Sequence, residues 1–179
     1  MAILSRKSKS RAQLVSLEAE VYLTLQHAAD LLLRPVEETL KRAALSHTQY
    51  NVLRILRGAR RSAENHDEGS NSAGLPCGEI AARMITRDPD ITRLLDRLET
   101  RGLVARTRQR KDRRVVEARI TATGLQLLRK LEKPMETMHR KQFEHVPAAH
   151  LRQLLEHLME IRSAAAQINA CAGDGDDSI

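Results

Sequence analysis

At 179 residues, 41% of them hydrophobic, the chain has enough apolar material for one domain or two intimately packed ones, and its net charge of +7 favours a polyanionic partner. Aromatic residues are 2% of the chain (Tyr22, Tyr50 and Phe143), which argues against single-strand binders and RNA-recognition folds that stack bases on aromatic platforms. A basic chain without such platforms suits the phosphates of a duplex.

Met1 to Arg11 reads as a basic, mobile arm carrying Arg6, Lys7, Lys9 and Arg11, with no apolar run behind it to make a signal peptide. Ala12 to Ala44 has the spacing of a long helix: Leu14, Leu17, Val21, Leu25, Ala28 and Leu32 recur at threes and fours. Pro35 falls inside it and is expected to kink the helix or split it in two. Leu31, Leu32 and Leu33 make this helix apolar more than halfway round, which suggests a subunit interface as well as a core.

Ser46 and Gln49 form a capping-box pattern ahead of a short helix with Tyr50, Leu53, Ile55 and Leu56, expected to end near Gly58. Arg60 to Pro76 is polar, contains Gly69 and Gly74 and lacks periodicity, so it reads as a surface loop. Cys77 to Ile85 is a short helix burying Ile80, Ala81 and Met84. After the turn at Thr86 and Arg87 comes a second helix, with Asp88 as cap, Pro89 in the first helical position and Ile91, Leu94, Leu95 and Leu98 as one apolar stripe. Thr92, Arg93, Asp96, Arg97 and Thr100 lie opposite, and Gly102 is placed to stop the helix. Leu103 to Gln109 and Val115 to Ile120 read as two strands around the charged turn Arg110, Lys111, Asp112 and Arg113.

This stretch concentrates the charge. From Arg83 to Arg119 there are 12 Lys/Arg against 6 Asp/Glu, a surplus of six out of the whole chain's +7. A charged helix beside a basic hairpin is a footprint for duplex DNA, with the helix in the major groove and the hairpin on the flanking backbone or minor groove. Two short helices, a tight turn and a trailing hairpin make a winged helix-turn-helix.

Thr121 is expected to cap a helix running from Ala122 to about Gln142, with Leu125, Leu128, Leu131, Met135 and Met138 on one face and a bend at Pro134. Pro147 opens a final helix with Leu151, Leu154, Leu155, Leu158 and Ile161, followed by an acidic tail with Asp174, Asp176 and Asp177. The ends are helical and over-apolar, an arrangement that suits a dimer.

The order of parts resembles the MarR family of winged-helix transcriptional regulators. The resemblance is carried by LSHTQYNVLRIL (Leu45 to Leu56), GEIAARM (Gly78 to Met84), ITRLLDRLETRGLVAR (Ile91 to Arg106) and DRR followed by RITATG (Asp112 to Gly124), and covers roughly residues 12 to 170. It implies a mainly α fold with a small β-wing, in which N- and C-terminal dimerisation helices flank the winged helix-turn-helix. The divisions are a basic arm (1–11), an N-terminal dimerisation helix (12–45), the DNA-binding domain (46–121), C-terminal dimerisation helices (122–172) and the tail (173–179). It also implies a triangular homodimer reading a pseudo-palindrome, with Asp88 to Arg101 as recognition helix. Asp112 and Arg114 match the family's wing pair, in which the aspartate positions the arginine for the minor groove. The wing turn is short and the loop over Arg60 to Pro76 is longer than usual for the family.

The residues expected to meet DNA are therefore Arg87, Thr92, Arg93, Arg97, Arg106, Arg108, Arg110, Lys111, Asp112, Arg113 and Arg114. For Arg93 the competing reading is an intrahelical ion pair, for instance with Asp96. The expected partners are double-stranded DNA, a second copy of the chain and an unidentified small-molecule effector, often phenolic or anionic in the family. No membrane partner is expected, since no stretch approaches the roughly 18 apolar residues of a span, and the expected location is cytoplasmic. No cofactor and no metal are expected. His139, His145, His150 and His157 read as surface or interface residues, and no nucleophile–base set, phosphate loop or metal motif points to an enzyme.

Cys77 and Cys171 are too few and too far apart for a disulfide framework. Cys77, at a helix start, is the candidate redox residue, with structural filler as the plainer reading. Two rival functions remain: a redox- or metal-responsive regulator of the same fold, and a winged helix that docks an acidic protein.

Overall fold

The computed structural model describes residues 16–66, 74–85, 90–108 and 114–173, without the side chains of 65–66 and 169–173. The expected basic arm, the Asp88–Pro89 cap, the turn at Thr86 and Arg87, the wing tip over residues 109–113, the Cys171 thiol and the acidic tail lie outside them. Helix α1 (Leu17–Lys41) begins where Ser16 Oγ accepts from the Ala19 N–H at 3.3 Å. It runs through Pro35 as one element, so the expected split does not occur. Proline removes one amide donor from the ladder, which a 25-residue helix tolerates. Val36 and Leu40 enter the core, whereas Leu17, Val21, Tyr22, Leu23 and Leu31 stay exposed.

The turn after α1 places Ala44 in the left-handed region (φ 51°), and Leu45 N–H returns to Leu40 O at 3.1 Å. Helix α2 (His47–His66) starts with the expected capping box: Ser46 Oγ accepts from Gln49 N–H and Gln49 Oε1 from Ser46 N–H, each at 3.1 Å. The helix does not stop at Gly58. A mid-helix glycine costs only about 1 kcal/mol relative to alanine, and beyond it Ala59, Ala63 and the Arg60–Glu64 pair (2.7 Å) support two further turns. The expected loop from Arg60 is thus helical to His66.

A strand missed in the sequence, β1 (Leu75–Pro76), leads directly into α3 (Cys77–Arg83). Helix α4 spans Ile91–Thr100. It ends with Gly102 at φ 66°, Gly102 N–H to Glu99 O (2.8 Å) and Leu103 N–H to Leu98 O (3.0 Å), the paired bonds of a Schellman stop. Strands β2 (Val104–Arg108) and β3 (Val116–Ile120) pair antiparallel from Val104↔Ile120 to Arg108↔Val116. Strand β1 joins the other side of β3 through Leu75↔Ala118 and Pro76↔Glu117, giving the order β1-β3-β2.

Helix α5 (Ala122–Gln142) also runs unbroken through its proline, Pro134. Thr121 caps it, its Oγ1 accepting from Gly124 N–H at 3.0 Å and donating to Gly102 O at 2.7 Å. One core collects Leu40, Val52, Leu53, Leu56, Ile80, Leu95, Leu98, Val104 and Leu128. It fixes α4 and the sheet on the same body as α2, α3 and the start of α5.

The chain divides into two compact units, residues 1–138 and 139–179. The second contains the last turn of α5, a short turn with Val146 N–H on Phe143 O (3.0 Å), and α6 (Ala148–Gly173). Within α6, Leu151 is half-buried and Leu154, Leu155, Leu158, Met159, Ile161 and Ile168 are exposed. No helix among the described residues is long and apolar enough to cross a membrane.

Candidate nucleic-acid interface

Helix α4 is held by one face and free on the other. Leu94, Leu95 and Leu98 are buried, Ile91 is half-buried, and Thr92, Arg93, Asp96, Arg97 and Thr100 are exposed, as the apolar spacing requires. The cap is Asp90, not the expected Asp88: its Oδ1 accepts from Arg93 N–H at 3.0 Å and the helix begins at Ile91.

The cations around this face are of three kinds. Arg93 pairs through Nε with Asp90 Oδ2 at 3.0 Å, not with Asp96, and its side chain is 79% exposed. A pair so exposed contributes at most about 1 kcal/mol and is readily exchanged for another anion. Arg97 is exposed and makes no ion pair with another described residue, and Arg108 at the end of β2 is in the same position. Arg114 is exposed at the entry to β3, and Arg119 is exposed further along that strand. The remaining expected contacts, Arg87, Arg110, Lys111, Asp112 and Arg113, lie outside the described residues.

Arg106 is committed elsewhere. Its Nε donates to Glu99 Oε2 at 2.7 Å, its terminal nitrogen reaches Glu99 Oε2 at 2.7 Å and Asp96 Oδ1 at 2.5 Å, and its backbone N–H donates to Glu99 Oε1 at 3.0 Å. The guanidinium's hydrogen bonds hold the Glu99 carboxyl below the usual carboxylate range, and Glu99, followed by Asp96, raises Arg106 in turn. The network ties β2 to α4 and offsets one of the two negative charges that otherwise oppose a polyanion.

Arg101 is the residue that sequence reasoning overlooks. It caps the end of α4 and donates from its two terminal nitrogens to Ala44 O (2.5 Å) and Ala43 O (3.1 Å). The turn between α1 and α2 is thereby tied to the end of α4. No spacing pattern links residues 57 and 58 positions apart.

The Cys77 thiol is free and half-buried, 3.5 Å from Val116 O, a donor contact to the sheet. In the second unit three of the four histidines have local partners: His139 with Gln142 (3.1 Å), His145 with Glu144 (3.3 Å) and His157 with Glu160 (3.5 Å). Among the described residues, no three His, Cys, Asp or Glu side chains converge to hold a metal.

A family model described as MarR family matches residues 45–116. The crystal structure of a MarR transcription factor from Planctomyces limnophilus is 42% identical, with a TM-score of 0.57, and the match covers 83% of this chain and 99% of that one. The chain belongs to the MarR family. It is also similar to the HTH-type transcriptional repressor MdtR of Bacillus subtilis (strain 168), at 30% identity over 116 residues. That match covers 65% of this chain and 64% of MdtR, just under two thirds of the relative's length. Sco3205, a MarR family transcriptional regulator from Streptomyces coelicolor solved in complex with DNA, shares the fold with a TM-score of 0.68 at 24% identity, over 86% of this chain and 90% of its own. MarR membership places the chain among transcription factors and not enzymes. The mainly helical architecture with a small antiparallel sheet is the expected one.

Proposed function

We propose that the chain is a homodimeric transcriptional repressor that reads a pseudo-palindromic duplex operator and is released from it by a small molecule. The observation that carries the DNA reading is the exposed face of α4, with Thr92, Arg93, Arg97 and Thr100 standing clear of the core, together with the exposed Arg108 at the end of β2 and Arg114 at the entry to β3. Such a helix enters the major groove, and the strand arginines meet flanking phosphates or the minor groove. Sco3205, of the same fold, was solved with DNA, and the relative MdtR is a repressor, which supports DNA binding and repression.

In this reading Arg93, Arg97, Arg108 and Arg114 contact DNA. Arg106 acts through Glu99 and Asp96 as a positioning residue that sets β2 against α4. The dimer is supported by apolar side chains left exposed within each unit: Leu17, Tyr22 and Leu31 on α1, at 72%, 61% and 62%, and Leu155, Met159 and Ile168 on α6, at 58%, 52% and 69%. Exposed apolar area of that extent in two helices is the mark of a covered surface. Two reading helices about one duplex turn apart, ~10 bp, then match two half-sites.

The test is fluorescence anisotropy of the purified protein on its own upstream region at two salt concentrations, with Arg97→Ala and Arg114→Ala, and the oligomeric state measured by sedimentation. A single saturable site, weakened by salt and by either change, together with a dimer, is the expected result. Binding no tighter than to random duplex, with full affinity for an acidic protein, overturns it in favour of the protein-docking reading.

A further inference from the structure

The buried residues of α1 are Val36 and Leu40, both near its end, whereas Leu17, Val21, Tyr22, Leu23 and Leu31 are exposed. The helix is therefore held to the reading body by its last turns. At 1.5 Å per residue its 25 residues make a lever about 37 Å long. A tilt of about 5° at the held end carries the other end about 3 Å, close to the roughly 3.4 Å rise of one base pair. Apolar packing resists separation more than it resists such a pivot, because burial has no direction. Directional bonds at the held end resist both.

Arg101 supplies them. Its two terminal nitrogens donate to successive carbonyls of the turn after α1, Ala44 O at 2.5 Å and Ala43 O at 3.1 Å. A planar guanidinium bound at two points fixes orientation as well as distance. Both ends of this bridge are set by the backbone. On one side Ala44 sits at φ 51° and Leu45 N–H returns to Leu40 O at 3.1 Å. On the other Arg101 is the C-cap of α4, with Gly102 at φ 66° and Leu103 N–H on Leu98 O at 3.0 Å behind it. Leu94, Leu95 and Leu98 already seat α4 in the core. Arg101 is exposed, so its bonds add little to stability. What they add is an angle between the end of α1 and the end of the reading helix.

We propose that Arg101 is a positioning residue that fixes α4 against α1, and thereby sets which separation of half-sites the two reading helices of a dimer accept. The bridge stands on hydrogen bonds within one chain. Its consequence for DNA rests on the dimeric reading given above, in which α1 carries part of the interface. One base pair added between half-sites moves the second by roughly 3.4 Å and turns it by roughly 35°. A fixed angle makes that displacement costly, and a slack one absorbs part of it.

The test compares the full natural chain with Arg101→Met and Arg101→Lys. In the free protein, amide hydrogen exchange is read at Leu45, bonded to Leu40 O, and at Leu103, bonded to Leu98 O. Arg101→Met is expected to speed both amides together, by about three- to tenfold, with helix content unchanged. Faster exchange at Leu103 alone, or at neither, overturns the bridge. On DNA, anisotropy is read for the operator and for duplexes with one base pair added or removed between the half-sites. Arg101→Met is expected to lose about three- to tenfold on the operator and less on the other two, so the preference narrows at an unchanged salt slope. Arg101→Lys keeps the charge without the planar fork and is expected to fall between. An equal loss on all three duplexes, with the slope reduced by about 0.9 per protomer, makes Arg101 a phosphate contact and overturns the positioning role. An unchanged preference overturns it as well. Should the natural chain form no operator complex, the DNA reading fails, and the exchange rates of the free chain still decide the bridge.

Discussion

Replacing Arg106 with methionine separates positioning from contact. The guanidinium makes short contacts to Glu99 (2.7 Å, from two nitrogens) and Asp96 (2.5 Å), while the bond from its backbone N–H to Glu99 survives the change. Hydrogen bonds to charged groups are worth about 1.5–3 kcal/mol net. Here the side chains of Arg106, Glu99 and Asp96 are 24%, 37% and 50% exposed, and solvent screening brings the expected loss to about 1–2 kcal/mol. Thermal unfolding at fixed protein concentration should show it, at roughly 2–4 °C per kcal/mol for a chain of this size. The two released carboxylates then face the operator. The change removes one positive charge per protomer, so at about 7 Å from phosphates in a near-aqueous dielectric it opposes binding by about 0.6 kcal/mol, a roughly threefold loss of affinity per protomer. The slope of log affinity against log salt should not change, because no phosphate contact is lost. Arg97→Met, by contrast, should reduce that slope by about 0.9 per protomer. Adding Asp96→Asn and Glu99→Gln to Arg106→Met should restore operator affinity. A slope reduced by Arg106→Met, with no recovery in the triple variant, refutes the positioning role and makes Arg106 a phosphate contact.

Three further outcomes are expected. Glu99 has its carboxyl lowered from an ordinary value of 4.5, so its pairing stabilises the fold fully above that pH and is lost as pH falls through the lower, folded value. The stability difference between the natural chain and Glu99→Gln, from denaturant titrations, should be flat above about pH 5 and shrink below 4.5. At Gly124 an added Cβ meets Leu103 O at 2.4 Å and Ile120 Cγ1 at 2.8 Å, so Gly124→Ala should cost about 1–3 kcal/mol despite alanine's better helix propensity, read as a lowered midpoint in urea. Ala44 sits at φ 51°, where glycine is unstrained, so Ala44→Gly should raise the same midpoint by about 0.5–1 kcal/mol.

How much of this is legible in the sequence depends on how local the cause is. The buried face of α4 follows from the spacing of Leu94, Leu95 and Leu98, and Gly102 announces its stop, because periodicity and a left-handed stop are local properties. The start of α4 is not legible: Asp88 and Asp90 flank one proline, both are able to cap, and spacing does not choose between them. Gly58 reads as a terminator, yet the cost of a glycine in a helix is small enough for its neighbours to overcome. Strand β1 is two residues long and has no period to detect. In the site, the exposure of Thr92, Arg93 and Arg97 comes from helical geometry. The fate of Arg106 and Arg101 comes from tertiary approach: one reaches back across a helix stop to Glu99, the other to a turn more than fifty residues away, and residue type alone does not separate an arginine on a carboxylate from one free for a phosphate.

The ordering of the sheet limits how these molecules associate. One border is β1, two residues with a proline that has no amide hydrogen to offer; the other is β2, five residues that include Arg106 and Arg108. An incoming extended segment finds almost no template on the first border and like charges along the second. Growth by adding strands, the route to fibrils, is therefore discouraged from both sides. Self-association is left to the helix faces, and in the dimer proposed above it ends with one partner.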